Sequence, residues 1–549
     1  MKQLADLVLF GNNVFSGLNA KPIPGGIAIK GNRILEVFSD KDDWKAYAGD
    51  STKLVNCGDK LIMPAFVDAH THFFMGAAAA SPHVCLDIEN STSPEECIEI
   101  VKEYERVHPE EKRIMAIGWY TANWNDIPLP DKTMLDEAFP NKPVYMLCAD
   151  LHTAWINTKA LEELGITEDT KPEYGEVRLD EDGKPNGILI EIDLMLPIFA
   201  KLVDYPLDIL TELFRSFLKE VASYGITSLS EITAAKPNEE FIRTLDKLLQ
   251  MEGNGDMSVR LHVYSNLGTT GDYAFEKQLL KKYYTDKIRY AGLKQVIDGV
   301  TSTYTGLLLE PYTDRPEMTC EANYPKEVFL KCTKAANREG LGIRYHCIGD
   351  EAVRWALDCF EEANIETGNT GNHRQLLNAI EHIENIHPSD IPRFKELGVI
   401  ASMQPYHVTF DLNEKVSRIG EERCLYEWPF RSLIDSGAII AFGTDYPVIS
   451  IDPFRNIYAA VTRCDDEGNP AGINPQEAVT LLETLRAYTS GAARVYGRQN
   501  DLGTLEAGKL ADVIVIDQNM FDIPAKNIPD CKVDLTIFDG EIIFERSAQ

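Results

Sequence analysis

Short β-rich runs open the chain: "DLVLFGNNVF", "GIAIKGNRILEVF" and "KLVNCGDKLIM" stand between Gly, Asn and Asp. Apolar or β-branched runs of this kind, bounded by turn residues, predict strands. The C-terminal end repeats the pattern in "ADVIVID" and "VDLTIFDGEIIFE". Between the two ends the pattern changes. Buried-type runs now alternate with amphipathic stretches such as "PKEVFLKCTKAANREG" and "SDIPRFKELG", which end at Gly as helices do. The buried runs are "IMPAFVDAH", "GITSLSEI", "VRLHVYSNL", "AGLKQVIDG", "LGIRYHCIGD", "LNAIEHI", "GVIASMQP" and "AIIAFGTDYP". Eight strands alternating with helices predict an α/β fold, a (β/α)8 barrel of TIM type. The expected layout is a barrel over residues 61–495 and a small composite β-sandwich made from residues 1–60 and 496–549.

The rhythm breaks once. Residues from about 74 to 225 hold too much chain for one connection, and they include two more β-runs, "RIMAIGW" and "PVYMLCAD", and a turn-rich ribbon, "GEVRLDEDGKPNGILIE". One reading is a large insertion after strand one, of the sort that shapes a substrate pocket. The competing count makes "RIMAIGW" or "PVYMLCAD" barrel strand two.

The polar residues gain meaning once placed on these strands. Side chains at i and i+2 of a strand point the same way, so His70 and His72 at the end of strand one face a common point. Lys294 lies on strand four, His346 on five, His382 on six and Asp445 on eight. The C-terminal ends of such strands form the catalytic face in barrels of this type. Imidazole and carboxylate together suit a divalent metal, zinc or a first-row neighbour. A lone His at a strand end is ordinarily a structural residue, and Asp445 alone reads equally well as a turn former. Convergence from strands one, five, six and eight is what argues for one or two ions at one mouth.

Lys294 has three readings: it snorkels, it pairs with Asp298, or its neutral amine adds CO2 to give a carbamate that bridges two metals. Glu191, ending "GILIE", is an alternative carboxylate bridge. His152 in "ADLHTAWIN" and His407 after "SMQPY" are within plausible reach of the pocket. Candidates for its walls are Trp119, Tyr120, Trp124, Trp155 and Tyr304, with His152 and Trp155 foremost because they directly follow a predicted strand. His108 falls on a charged, solvated helix and His387 precedes Pro388 in a turn, and His83, His262 and His373 have no pattern around them.

Acids exceed bases, 86 to 54, for a net charge of −32. Such a field repels nucleic acid and anionic membrane surfaces, and no apolar run approaches the ~18 residues of a membrane span. The eleven cysteines are dispersed and form no C-x-x-C pair, as reduced interior thiols are. With no signal peptide visible, a cytoplasmic location is expected, with a small molecule as partner and a homodimer as an open question.

The order of motifs, "MPAFVDAHTH", a strand-four Lys, strand-five and strand-six His and a strand-eight "GTD", resembles the amidohydrolase superfamily. "RYHCIGDEAV", "GVIASMQPYH" and "WPFRSLIDSGAIIAFGTDYPVISIDPF" narrow the resemblance to the branch holding N-substituted formamide deformylases and uncharacterised metal hydrolases. The resemblance implies that His70 and His72 bind one metal and that His346 and His382 bind the second. It makes Lys294 the carbamylated bridge and Asp445 the metal-linked proton shuttle. It also implies hydrolysis of a non-peptide C–N bond by metal-activated hydroxide. A mononuclear deaminase and an ester or phosphoester hydrolase are the enzymatic alternatives, and an assembly protein without activity is the non-enzymatic one. One position departs from the pattern: Tyr304 stands where relatives usually carry Arg, which points to a neutral substrate.

Overall fold

The computed structural model describes residues 3–124, 127–318, 320–370, 377–409 and 412–547. His373 lies outside the described residues. The N-terminal strands are β1 (Leu7–Val14), β2 (Ile23–Lys30), β3 (Arg33–Phe38) and β4 (Lys53–Pro64). Strand β5 (Phe66–Val67) opens the barrel. The insertion follows, with β6 (Leu86–Asp87), β7 (Ile114–Trp119), β8 (Val144–Cys148), β9 (Thr153–Ile156), β10 (Glu176–Leu179) and β11 (Pro185–Ile190). The barrel resumes with β12 (Ile226–Glu231), β13 (Arg260–Asn266), β14 (Ile288–Val296), β15 (Ile343–Cys347), β16 (Ala379–His382), β17 (Ile400–Met403) and β18 (Ile439–Phe442). The chain closes with β19 (Val513–Ile516), β20 (Val533–Phe538) and β21 (Glu541–Glu545).

Strands β5 and β12 to β18 form an eight-stranded parallel sheet in sequence order. Backbone hydrogen bonds join its first and last members: Ala69 N–H donates to Phe442 O at 3.1 Å, Asp445 N–H to His70 O at 2.7 Å and His72 N–H to Tyr446 O at 2.9 Å. The sheet thus curls into a ring, and no open edge remains at this seam. Strands β7 and β8, which carry "RIMAIGW" and "PVYMLCAD", lie in a separate six-stranded sheet ordered β10-β11-β9-β8-β7-β6. They contribute nothing to the ring. Trp119 and Trp124, two proposed wall residues, stack at 5.2 Å inside the apolar core of that sheet.

Both chain ends enter one seven-stranded sheet ordered β21-β20-β19-β4-β1-β2-β3. Strand β4 is its hinge: it pairs parallel with β1 and antiparallel with β19, Met63 opposite Ile514. This sheet is tied to the ring by Arg260 of β13. The buried guanidinium reaches Asp512 at 3.0 Å and Asp539 at 2.5 Å, a fork geometry that suits arginine.

Where β18 passes strand one the packing admits no side chain. A Cβ on Gly443 would lie 2.4 Å from His70 N and 2.7 Å from Asp68 Oδ1. Gly443→Ala is therefore expected to cost about 1–3 kcal/mol, as overpacking does, by forcing strands one and eight apart. Urea denaturation checks the effect. A variant as stable as the parent would contradict the packing account.

Candidate active site at the barrel mouth

The seam between strands one and eight is set by Asp68. Its carboxylate accepts from His70 N–H at 3.1 Å, Thr444 N–H at 3.0 Å and Thr444 Oγ1–H at 2.7 Å. A buried carboxylate needs such donors, and these donors come from the two strands that carry the ligand-type residues. His70, His72 and Asp445 are thereby brought side by side.

Asp445 is the hub of the site. Its Oδ1 lies 3.1 Å from His70 Nε2 and 3.0 Å from His72 Nε2. Its Oδ2 lies 3.4 Å from His407 Nε2 and 3.9 Å from His382 Nδ1. Two groups of three follow, His70–His72–Asp445 and His382–His407–Asp445, with ligand atoms in each within 4.8 Å of one another. His346 stands beside them, its ring 4.4 Å from that of His382. The backbone bends to achieve this: φ is 66° at Asp445 and 71° at His382, a region that non-glycine residues rarely occupy and that clusters at functional sites.

Burial disfavours the charged form of three of these imidazoles. It pushes His70 below its ordinary value against the pull of Asp445 and Glu381, and holds His346 and His382 well below theirs, aided by neighbouring cationic forms. Asp445 is opposed by burial too, but His70 and the contacts from His407 and His72 hold its carboxyl well below the usual range. The buried nitrogens His346 Nε2 and His382 Nδ1 have no hydrogen-bond partner, and His70 Nε2, though 3.1 Å from Asp445, is off the hydrogen-bond axis. Neutral imidazoles with uncommitted lone pairs around one carboxylate fit a divalent cation.

Two residues behind His70 went unread in the sequence. Glu381 Oε2 is 2.6 Å from His70 Nδ1. Arg344 grips the same carboxylate from Nε at 2.7 Å and Nη2 at 2.9 Å. Arg344 and His70 keep Glu381 ionised despite its burial, so His70 Nδ1–H donates and Nε2 is left as the lone pair facing the mouth. A carboxylate behind a ligating histidine fixes its tautomer in this way. A signal was present: Arg344 shares the strand face of His346 two residues on, and an arginine there demands a buried acid.

The remaining candidates divide. Lys294 is 3% exposed, and its Nζ has no hydrogen-bond partner. Burial brings it down to about 8, resisted by Glu381. Asp298 does not pair with it: its carboxylate accepts the backbone N–H groups of Leu307, Ile348 and Gly349 and so organises the loops after strands four and five. Glu191 is committed to His152 Nδ1 at 2.8 Å and to Thr305 Oγ1–H at 2.5 Å. Burial opposes a charge on His152, but Glu191 outweighs it and raises the imidazole to about 9. Trp155 is a correction: it is fully buried in the insertion's core, and its indole N–H donates to Asp131 O. Tyr304 is another. Its hydroxyl donates to Asp314 at 2.7 Å, and its ring lies 3.6 Å beneath Arg315 and 5.1 Å from Arg418, so it serves as a platform for cations outside the cavity wall. The cavity over the site, about 60 Å³, is lined by Tyr120, Asp150 and His152 from the insertion and by Ser302, His346, His382, His407 and Asp445 from the ring.

The chain is 29% identical to Protein LONG AFTER FAR-RED 3 of Arabidopsis thaliana, over 96% of this chain and 89% of that one. It is 26% identical to the N-substituted formamide deformylase of Arthrobacter pascens over the whole of both. An uncharacterised metal-dependent hydrolase of Pyrococcus furiosus superposes with a TM-score of 0.71 at 26% identity, covering 93% of this chain and 99% of the other. A counterpart from Pyrococcus horikoshii shares the fold with a TM-score of 0.74. Among the described residues no helix is long and apolar enough to cross a membrane. The model of the amidohydrolase family matches residues 53–544, a span that takes in the ring, its insertion and strands from both chain ends, and the chain belongs to that family.

Proposed function

We propose that the protein hydrolyses the C–N bond of a small, non-peptide amide, using one or two divalent ions, with zinc favoured. The observation that carries this reading is the pair of His–His–Asp groups sharing Asp445 at the mouth of the ring. His70, His72, His382 and Asp445 would hold the metal, with His346 and His407 completing the set. A bound ion supplies Lewis acidity, lowering the pKa of water from 15.7 to about 7 and polarising a carbonyl.

The chain's own groups do the rest. Asp445, ionised and central, takes the proton of the attacking water on a carboxylate oxygen and returns it to the leaving nitrogen. His152, kept cationic by Glu191 at the cavity wall, donates to the oxygen on which negative charge develops. Arg344 and Glu381 keep His70 in the tautomer that faces the mouth. The Lys294 amine, partly neutral near pH 8, is suited to CO2 addition, and Glu191 is committed elsewhere. A single ion with Lys294 unmodified would instead favour a deaminase, a reading the shared Asp445 also accommodates.

Metal analysis of protein purified without chelator is expected to find one or two ions per chain. Dialysis against a chelator should abolish turnover of N-benzylformamide, and zinc should restore it. A peptide containing Lys294 should carry the added mass of one CO2 where two ions are present. Undiminished turnover in metal-free protein would end the proposal.

A further inference from the structure

A larger cavity, about 720 Å³, lies between the insertion helix Ile192–Leu202 and the ring. Small-molecule sites span roughly 300–1,000 Å³. No residue lines both this cavity and the 60 Å³ one over the histidines, so the two hold separate molecules. The body of the larger chamber is apolar, with Leu164, Leu196, Phe199, Phe214 and Phe241 on its walls.

Two side-chain amides break that apolar lining, at the ends of neighbouring strands. Gln295 of β14 is 3% exposed, and strand alternation turns it away from Lys294 and out of the ring. Its Oε1 accepts Val296 N–H at 2.9 Å, which fixes the amide's orientation. Among the described residues its Nε2 donates to nothing. That nitrogen is not sealed in protein either, so its N–H groups open on the cavity that Gln295 lines. Asn266 of β13, paired across the strands with Lys294, repeats the arrangement. Its Oδ1 accepts Gly268 N–H at 2.6 Å, and its Nδ2 has no acceptor among the described residues. Donors without acceptors are uncommon in a folded interior and ask for an explanation. The charged residues of the lining, Lys171, Glu173, Asp193, Lys236 and Glu240, carry both signs and form no cationic patch that would favour a carboxylate.

We propose that this cavity is a second ligand site, taking an apolar body that carries an uncharged carbonyl oxygen, and that Gln295 Nε2 and Asn266 Nδ2 donate to that oxygen. The assignment rests neither on a metal nor on the hydrolase reading.

Fluorescence titration of the full chain with 6-propionyl-2-(dimethylamino)naphthalene tests it, because the emission of this ketone moves to the blue in apolar surroundings. The 6-propyl analogue, which lacks the carbonyl, is measured by competition. The ketone is expected to bind saturably, one per chain, with blue-shifted emission and about tenfold more tightly than the propyl compound. Gln295→Glu and Asn266→Asp each keep the oxygen that accepts a backbone N–H and replace the donor nitrogen by an acceptor. Each should weaken the ketone at least about fivefold and leave the propyl analogue unchanged, a comparison that separates a lost hydrogen bond from a disturbed fold. Ala200→Trp fills the cavity from an exposed helix position and should weaken both compounds at least about tenfold. Chelator-treated protein should bind the ketone as the untreated protein does. No saturable binding, equal affinity for the two compounds in the parent, or binding undiminished in Ala200→Trp overturns the assignment. So does a ketone preference that survives both donor replacements, and so does loss of binding on chelation, which would place the probe at the histidines.

Discussion

His70→Asn and His346→Asn are expected to lower kcat for amide hydrolysis by at least about a thousandfold, with circular dichroism and melting midpoint close to those of the parent. In His70→Asn the new Nδ2–H replaces the imidazole donor toward Glu381, now met by Nδ1 at 2.6 Å, so the buried carboxylate keeps its partner. What is lost is Nε2, the atom beside Asp445. In His346→Asn the lost Nε2 has no protein partner to strand. Both variants should also lose metal by mass spectrometry, which separates a ligand defect from a folding defect. Turnover within tenfold of the parent, with metal retained, would show that these nitrogens are not ligands.

The largest effect on stability is expected at a residue one contact behind His70. Arg344→Met should cost about 3–5 kcal/mol in urea denaturation, the usual consequence of leaving a buried charge without its partner. Arg344 is 1% exposed, and besides Glu381 it donates to Ala69 O at 2.6 Å and Ser402 Oγ at 3.2 Å. Without the guanidinium, Glu381 is driven to take up a proton and no longer compels His70 Nδ1 to donate. Metal affinity should then fall about 10- to 100-fold, as it does when the group behind a ligand is removed. The double variant Arg344→Met with Glu381→Leu should recover much of the stability and none of the affinity. A single variant as stable as the parent would mean that the pair is dispensable.

All eight barrel strands could be read from runs of buried-type residues, because a parallel strand is apolar on both faces and stands out against helical periodicity. The residues gathered at the mouth were legible for the same reason: polar residues at the ends of such runs need an explanation. Glu381 was hidden by the rule that revealed the rest. Strand alternation sends neighbours to opposite faces, so Glu381 and His382 could not both be assigned to the mouth. The left-handed backbone at His382 suspends the rule locally, and nothing in "AIEHI" announces that. Trp155 failed in the opposite direction: it lies three positions after His152, an odd step that alternation sends to the other face, into the insertion's core. His407 sits in a short 3-10 turn, Pro405–Thr409, past the end of its strand, where periodicity carries no information.

The position of β4 between β1 and β19 bears on how the molecule is made. As the polypeptide leaves the ribosome, β4 finds β1 at once, but its other edge waits for residues 513–516, more than four hundred and forty positions later. Throughout that interval a strand ending in "LIMP" offers unpaired amides and apolar side chains to any passing chain, the hazard that exposed edges carry. Arg260 likewise waits for Asp512 and Asp539 to neutralise it. The last forty residues therefore act as the closing clasp of the whole assembly, and premature termination upstream of them should yield aggregates, with no shortened but working enzyme.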